Sequence, residues 1–392
     1  MNSEKNYSPG LENVIAGETE ICLLDPDKGL FYRGYSIEEL FEKSNFEEVS
    51  FLILNGKLPT TSELEEFRKK LSENYFVDKN VFKIVKDLPK NSDMMDILRT
   101  LVSLIGTEDV SEKNDYEKAI SLIAKMPSLI ANSYRILNGL RIIKPKENYS
   151  IAENFLYILN GKKPDKKLVK IFDKTLILYA EHEFNASSFT ARVIASTLSD
   201  YYSAIVGAIG ALKGPLHGGA NEKAMRMLLE IGSVDNVENY LAEHLKIKGW
   251  RIMGFGHRVY KGVEDPRAKA MKNLLKEACE YKNDMKLYEV ATKVEEYVLN
   301  ENFMQQFIPG YGTEKSKFYP NVDFYCGPLY YVLGIPLELY TPIFALARVV
   351  GWSAHIIEQQ KQMELKIARL FRPRSIYIGK KDLKYIPIEE RV

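Results

Sequence analysis

Cysteine is scarce in this chain. Three occur, Cys22, Cys279 and Cys326, far apart, odd in number and without a CxxC pair. That spacing excludes a disulfide framework and a cysteine-rich zinc site, and it points to a reducing compartment. A surplus of one charge is missing as well, since 54 basic residues stand against 53 acidic ones. A protein that coats nucleic acid carries a basic excess, so no nucleic-acid partner is expected. Any anionic ligand must be met by local clusters of Lys, Arg and His. The most apolar stretch, residues 193–212, holds Ser196, Asp200 and the pair Tyr201-Tyr202 near its middle. It reads as one buried helix rather than a membrane span. The beginning of the chain is polar and acidic, with neither the apolar heart of a signal peptide nor the Arg-rich face of a transit peptide. The expectation is a cytoplasmic protein with no membrane partner.

What the chain has in quantity is apolar sequence of helical period. Of 392 residues, 45% are hydrophobic, enough for two domains or one large one with an inserted lobe. Ile37, Leu40 and Phe41, then Leu64, Phe67 and Leu71, then Ile97, Leu98, Leu101, Leu104 and Ile105 recur at spacings of three and four. Start signals stand at Ser36, at Thr61 or Ser62 before Glu63, and at Ser92 before Asp93. Gly56 with Pro59 and Gly161 with Pro164 mark helix ends. Only residues 20–24 with 29–33, and 375–378, look extended. The fold class is therefore mainly α, without strand–helix alternation. Gly254-Phe255-Gly256 lacks the third glycine of a dinucleotide fingerprint and follows no clear strand.

Between about Gly214 and Pro328 the punctuation changes, with Gly214-Pro215, Gly218-Gly219, Gly254-Phe255-Gly256, Gly310-Tyr311-Gly312 and Gly327-Pro328. Such glycines permit positive-φ turns, close approach of backbone to a ligand, and hinges. Residues 216–330 are read as a smaller helical domain inserted into a larger one built from 1–215 and 331–392.

Histidine is nearly as scarce as cysteine, with five in all, and three of them sit in this punctuation or in polar sequence. His217 lies in Gly-Pro-Leu-His-Gly-Gly-Ala-Asn, just before a helix expected over 221–230. The positive end of a helix disfavours imidazolium, and a neutral imidazole can donate to a developing oxyanion. A turn histidine that merely caps the helix is the plain alternative. His257 is followed by Asp265-Pro266-Arg267, where Asp265 as N-cap and Pro266 at the first helical position would start a helix. Arg267 would project from its first turn, as an anion ligand or as an ordinary surface residue. Asp323, in Tyr-Pro-Asn-Val-Asp-Phe-Tyr-Cys-Gly, is flanked by apolar side chains. Desolvation there would raise its basicity toward that of a general base, and a solvated turn aspartate is the alternative. His182 follows a helix ending near Glu181. His244 falls on an apolar stripe and His355 on the helix of Arg348, both read as packing residues. No HExxH or paired ligand spacing occurs, so no metal is expected.

Together these segments resemble the citrate synthase family. The resemblance is an ordered series: Glu181-His-Glu-Phe-Asn-Ala-Ser, Gly214-Pro-Leu-His-Gly-Gly-Ala-Asn, Gly254-Phe-Gly-His-Arg-Val-Tyr-Lys, Asp265-Pro-Arg, Pro320-Asn-Val-Asp-Phe-Tyr, Ala347-Arg and Arg372-Pro-Arg-Ser. Tyr32-Arg-Gly-Tyr and Gly56-Lys-Leu-Pro extend it over about residues 10 to 380. It implies a two-domain helical fold, a homodimer whose sites are completed across subunits, and the condensation of acetyl-CoA with oxaloacetate. By that resemblance Asp323 takes a proton from the acetyl methyl group, His217 donates to the enolate oxygen and His257 polarises the oxaloacetate ketone. His182, Arg267, Arg348 and Arg372 would hold the oxaloacetate carboxylates, with Arg372 coming from the partner subunit. Lys261, and more loosely Lys315 and Lys317, would meet CoA phosphates. No permanently bound cofactor is implied, acetyl-CoA being a co-substrate.

Two departures from the family pattern stand out. The run from His257 to Arg267 is one residue longer than expected, and that from Arg348 to Arg372 about four longer, which is one helical turn. Arg369 and Arg374 are the alternatives to Arg372. A 2-methylcitrate synthase taking propionyl-CoA and a non-catalytic acyl-CoA or dicarboxylate sensor are the competing functions.

Overall fold

The computed structural model describes residues 7–25, 27–257, 259–312 and 316–391. Among them, seventeen α-helices accompany one small sheet. The sheet is an antiparallel meander of β1 (Cys22–Asp25), β2 (Gly29–Tyr32) and β3 (Tyr35–Ser36), with Cys22 opposite Tyr32 and Asp25 opposite Gly29. Its inward residue Tyr32 is fully buried, and the hydroxyl donates to the carbonyls of Ile177 (3.2 Å) and Glu181 (2.9 Å). The sheet is thereby fastened to the segment that carries His182.

The helix Tyr340–Glu364 carries one charged residue, Arg348, over its otherwise largely apolar first four turns and is buried there, as such a pattern requires. Around it pack the helices Phe46–Asn55, Asp115–Leu137, Lys166–Tyr179, Ala186–Ala195 and Tyr201–Leu212. Gly351 sets the closest approach. A Cβ there would lie 2.0 Å from Glu181 Oε2 and 2.6 Å from the carbonyl of Ala180, so a side chain would push the 180–181 segment away. A second set of helices, Ala220–Ile231, Pro266–Lys282, Lys286–Leu299 and Val322–Val332, packs chiefly on itself. The loop 254–256 is tied to the start of the last of these by Asn321 N–H to Gly254 O (2.8 Å) and Gly256 N–H to Tyr319 O (2.9 Å). Gly254 has φ +79, and a Cβ would stand 2.7 Å from Phe324 Cα. Glycine is therefore what lets the loop of His257 reach the helix of Asp323.

The mainly helical expectation holds, with local corrections. Residues 193–212 form two helices, not one. The first ends at Ala195, Leu198 takes φ 61, and Asp200 caps the second by accepting from Ser203 N–H. Ser196 and Thr197 hydroxyls donate back to the carbonyls of Val193 and Ile194, the local competition by which short polar side chains end a helix. The N-caps expected at Thr61 or Ser62 and at Ser92 are instead Thr60, in a capping box with Glu63, and Asp93. The helix before His182 stops at Tyr179. Residues 375–378 form no strand. Gly56 and Gly161 end their helices in the left-handed conformation, as read. No helix among the described residues is long and apolar enough to cross a membrane.

Candidate active site

Six of the residues singled out by sequence line one cavity of about 390 Å³: His182, His217, His257, Arg267, Asp323 and Arg348. They come from five separate places in the chain, and each is fixed by its own local structure.

Asp323 lies in the first turn of Val322–Val332, whose N-cap Asn321 accepts from the Asp323 N–H at 3.0 Å. The carboxyl is buried and receives the Tyr179 hydroxyl on Oδ1 at 2.7 Å. Burial pushes its pKa up to about 6; the Tyr179 bond and the charges of Arg267 and Arg348 oppose the rise, and Asp265 adds to it. A carboxylate so placed is a base near neutral pH.

His217 stands in the turn before Ala220–Ile231. Burial first and the Arg348 charge second push its pKa down to about 4, so the ring is neutral. Its Nε2 accepts the backbone N–H of Ser187 at 3.3 Å and lies 2.8 Å from the Ser187 hydroxyl. An amide can only donate, so Nε2 is the acceptor and Nδ1 carries the proton. Ser187 in turn accepts from the Trp352 indole at 3.0 Å.

His257 is the complementary tautomer. Its Nδ1 accepts two backbone amides, Val259 (3.0 Å) and Tyr260 (3.2 Å), which leaves the proton on Nε2. Burial, with Arg267 next in weight, pushes its pKa down to about 4. His217 and His257 are thus neutral imidazoles of opposite, backbone-fixed tautomer that share the cavity with the Asp323 carboxyl and with Glu183.

Arg267 caps this electrostatics. Asp265 is the N-cap of Pro266–Lys282, as the sequence suggested, and its carboxylate also binds the guanidinium at Nε (3.1 Å) and Nη2 (2.8 Å). Both residues are buried, so the pairing is made outside water. Arg348, buried in the central helix, donates from Nε to the carbonyl of Tyr179 at 2.7 Å, and its guanidinium lies 4.9 Å from the Phe344 ring centre. His182 is packed edge-on to His257, ring centres 5.2 Å apart. Its buried Nε2 has no hydrogen-bond partner among the described residues. Burial, then the nearby arginine and histidine rings, hold it neutral. The next residue, Glu183, takes φ 53, a strained conformation for a side chain with a Cβ. A buried orphan nitrogen beside two guanidiniums is a place for a small polyanion with a polar oxygen.

The remaining candidates lie elsewhere. Arg372 and its alternative Arg369 line a separate cavity of about 740 Å³, with Phe189, Gln359 and Phe371. This chain therefore does not bring Arg372 to the cavity of Asp323. Lys261 pairs with Glu12 at 2.9 Å and Lys317 with Glu301 at 2.6 Å. Lys315 lies outside the described residues. His244 stacks on Tyr240 with ring centres 3.9 Å apart, a packing role as expected. His355 is fully buried and also hydrogen-bonded: Nε2 lies 2.9 Å from Glu181 Oε1, and Nδ1 receives Arg192 at 3.1 Å. Among the described residues no group of three or more His, Cys, Asp or Glu is arranged to hold a metal ion. Sequence reasoning missed Tyr179 and Ser187. Tyr179 reads as one more apolar position on its helix, and Ser187 stood unremarked within the Asn-Ala-Ser of the quoted motif.

Residues 10–374 match the family model described as citrate synthase, C-terminal domain. The chain is 45% identical to Citrate synthase 2 of Bacillus subtilis (strain 168), covering 97% of this chain and 98% of that one. It is 42% identical to the Citrate/2-methylcitrate synthase of the same organism, with coverage of 97% and 98%. Among solved structures, the ternary complex of carboxymethyl coenzyme A and oxaloacetate with citrate synthase from Thermoplasma acidophilum superposes with a TM-score of 0.88 at 35% identity, covering 98% of this chain and 99% of that one. Citrate synthase from Thermotoga maritima MSB8 gives 0.84 at 43% identity, covering 97% and 98%. The chain belongs to the citrate synthase family.

Proposed function

We propose that this protein condenses acetyl-CoA with oxaloacetate and water, giving citrate and CoA. The observation that carries the reading is the single cavity shared by one carboxylate of pKa about 6, two neutral histidines of fixed tautomer and two buried arginines. Oxaloacetate, a small dicarboxylate with a ketone, matches Arg267, Arg348 and His182. Asp323 removes a methyl proton from acetyl-CoA. His217 donates from Nδ1 to the thioester oxygen as the enolate forms, which stabilises charge where it develops. His257 donates from Nε2 to the oxaloacetate ketone and gives its proton to the alkoxide when the new carbon–carbon bond forms. Water then cleaves the citryl thioester. A sensor that merely binds acyl-CoA or a dicarboxylate has no use for a base held at this pKa.

The reading extends to a moving smaller domain over 216–330, whose closure on 1–215 and 331–392 excludes water. It extends also to a cytoplasmic homodimer in which Arg372 serves the partner's cavity, in keeping with its absence from the lining of the Asp323 cavity in its own chain. Lys261 and Lys317 reach CoA phosphates only by releasing Glu12 and Glu301. The relative named Citrate/2-methylcitrate synthase supports a second reading, in which propionyl-CoA is the donor. One methyl group in a pocket is worth about 1–3 kcal/mol, so both donors can be accepted. Specificity constants for the two thioesters, followed by release of the CoA thiol with oxaloacetate, test both readings. A larger constant for acetyl-CoA supports the first, a larger one for propionyl-CoA the second, and no thiol release with either rejects the enzyme.

A further inference from the structure

Tyr179 touches two parts of the site at once. Its hydroxyl donates to Asp323 Oδ1 at 2.7 Å, and its backbone carbonyl accepts Arg348 Nε at 2.7 Å. The residue closes the helix Lys166–Tyr179, is fully buried, and packs its ring on Phe344 with centres 4.3 Å apart. Among the described residues it makes the one hydrogen bond that the Asp323 side chain receives.

We propose that Tyr179 is a positioning residue for the condensation, its hydroxyl holding Asp323 Oδ1 so that Oδ2 is turned, ionised, to the acetyl methyl group. The proposal rests on Asp323 being the base. The backbone of Asp323 is already pinned by Asn321, so what remains free is rotation of the carboxyl, a broad torsion that leaves its two oxygens interchangeable. A bond to one oxygen removes that freedom. In the step itself a methyl C–H bond breaks, its electron pair enters the enolate, and the proton goes to Oδ2. Tyr179 does not supply or take a proton, because burial holds its phenol well above its ordinary pKa. Its bond favours the charged carboxylate against desolvation. The other groups around Asp323 are Arg267 and Arg348, which also favour the charge, Asp265, which disfavours it, the buried Cys326 thiol and Tyr330 hydroxyl behind Tyr179, and, lining the same cavity, Glu183 and the three neutral histidines. None of these makes a hydrogen bond to the carboxyl.

Tyr179→Phe removes the hydroxyl and keeps the ring and the carbonyl. The acid limb of kcat/KM for acetyl-CoA should then move up by about one pH unit, the size of one charge-assisted hydrogen bond. At neutral pH kcat should fall roughly tenfold, while KM for oxaloacetate stays unchanged because Arg348 keeps its carbonyl. Difluorotyrosine incorporated at position 179 is a stronger donor of nearly the same shape and should move the limb down; it decides the matter if the Phe variant does not fold. An acid limb unmoved in either folded variant overturns the proposal. If Asp323→Ala turned over like the wild type, the base itself would be misassigned, a result distinct from an unmoved limb with Asp323 still essential.

Discussion

Replacing Asp265 by asparagine takes the charge out of a buried ion pair while keeping its shape. In the native protein Asp265 accepts three bonds from Arg267: the backbone N–H that caps the helix at 2.9 Å, Nε at 3.1 Å and Nη2 at 2.8 Å. Asparagine can still offer one oxygen to the cap and to Nε, but its amide would face Nη2 as donor against donor. Arg267 would be left desolvated without a counter-charge. Removing one partner of a buried pair costs about 3–5 kcal/mol. Alanine loses the cap too, about 1 kcal/mol more. Urea unfolding of wild type, Asp265→Asn and Asp265→Ala should show that order. Oxaloacetate brings carboxylates to the same guanidinium, so saturating ligand should stabilise the variants more than the wild type and narrow the gap. An asparagine variant within 1 kcal/mol of the wild type, with an unchanged response to oxaloacetate, would refute the view that Asp265 supplies the counter-charge Arg267 needs.

Two further outcomes follow from the same geometry. Asp323 acts ionised with a pKa of about 6, whereas His217 and His257 act neutral with pKa values near 4. The value of kcat/KM for acetyl-CoA should therefore rise with pH, tenfold per unit below about 6, and flatten above it; a steeper rise, toward a hundredfold per unit over the same range, would mean that a second group must lose a proton there and would contradict neutral donors. Ser187→Ala removes the hydroxyl against His217 Nε2 and leaves the buried Trp352 indole without its acceptor. Stability should fall by about 1–3 kcal/mol and kcat by roughly tenfold, with KM for oxaloacetate little altered; a wild-type kcat would show that the Ser187 amide alone holds the ring.

Much of this was legible in the residues, and what was not has physical reasons. Gly56, Gly161 and Asp265-Pro266 marked helix ends correctly because each has one local conformation that suits it. At Thr60-Thr61-Ser62 and Ser92-Asp93 two or three adjacent side chains can cap, and only the path of the incoming chain chooses among them. The break at 196–200 was hidden by its apolar surroundings. His217, His257 and Asp323 stood out because glycine and apolar neighbours surround rare titratable groups. Their protonation states did not. The sequence offered a helix start as the reason for a neutral His217, but burial and Arg348, a contact across 131 positions, are what depress its pKa. The tautomers depend on amides of Ser187, Val259 and Tyr260, and a main-chain donor has no side-chain signature. Arg348 and Arg372 look alike in sequence, yet packing puts one in the cavity and the other in a separate one.

Asp323→Ala in a CoA thiol-release assay with acetyl-CoA and oxaloacetate addresses the centre of the account. Wild type should release one thiol for each oxaloacetate consumed. The variant, with unchanged folding, should lose on the order of 10²–10⁴ in kcat. Full turnover by the variant would contradict the assignment of Asp323 as the base and turn attention to Glu183, the other cavity carboxyl that burial raises.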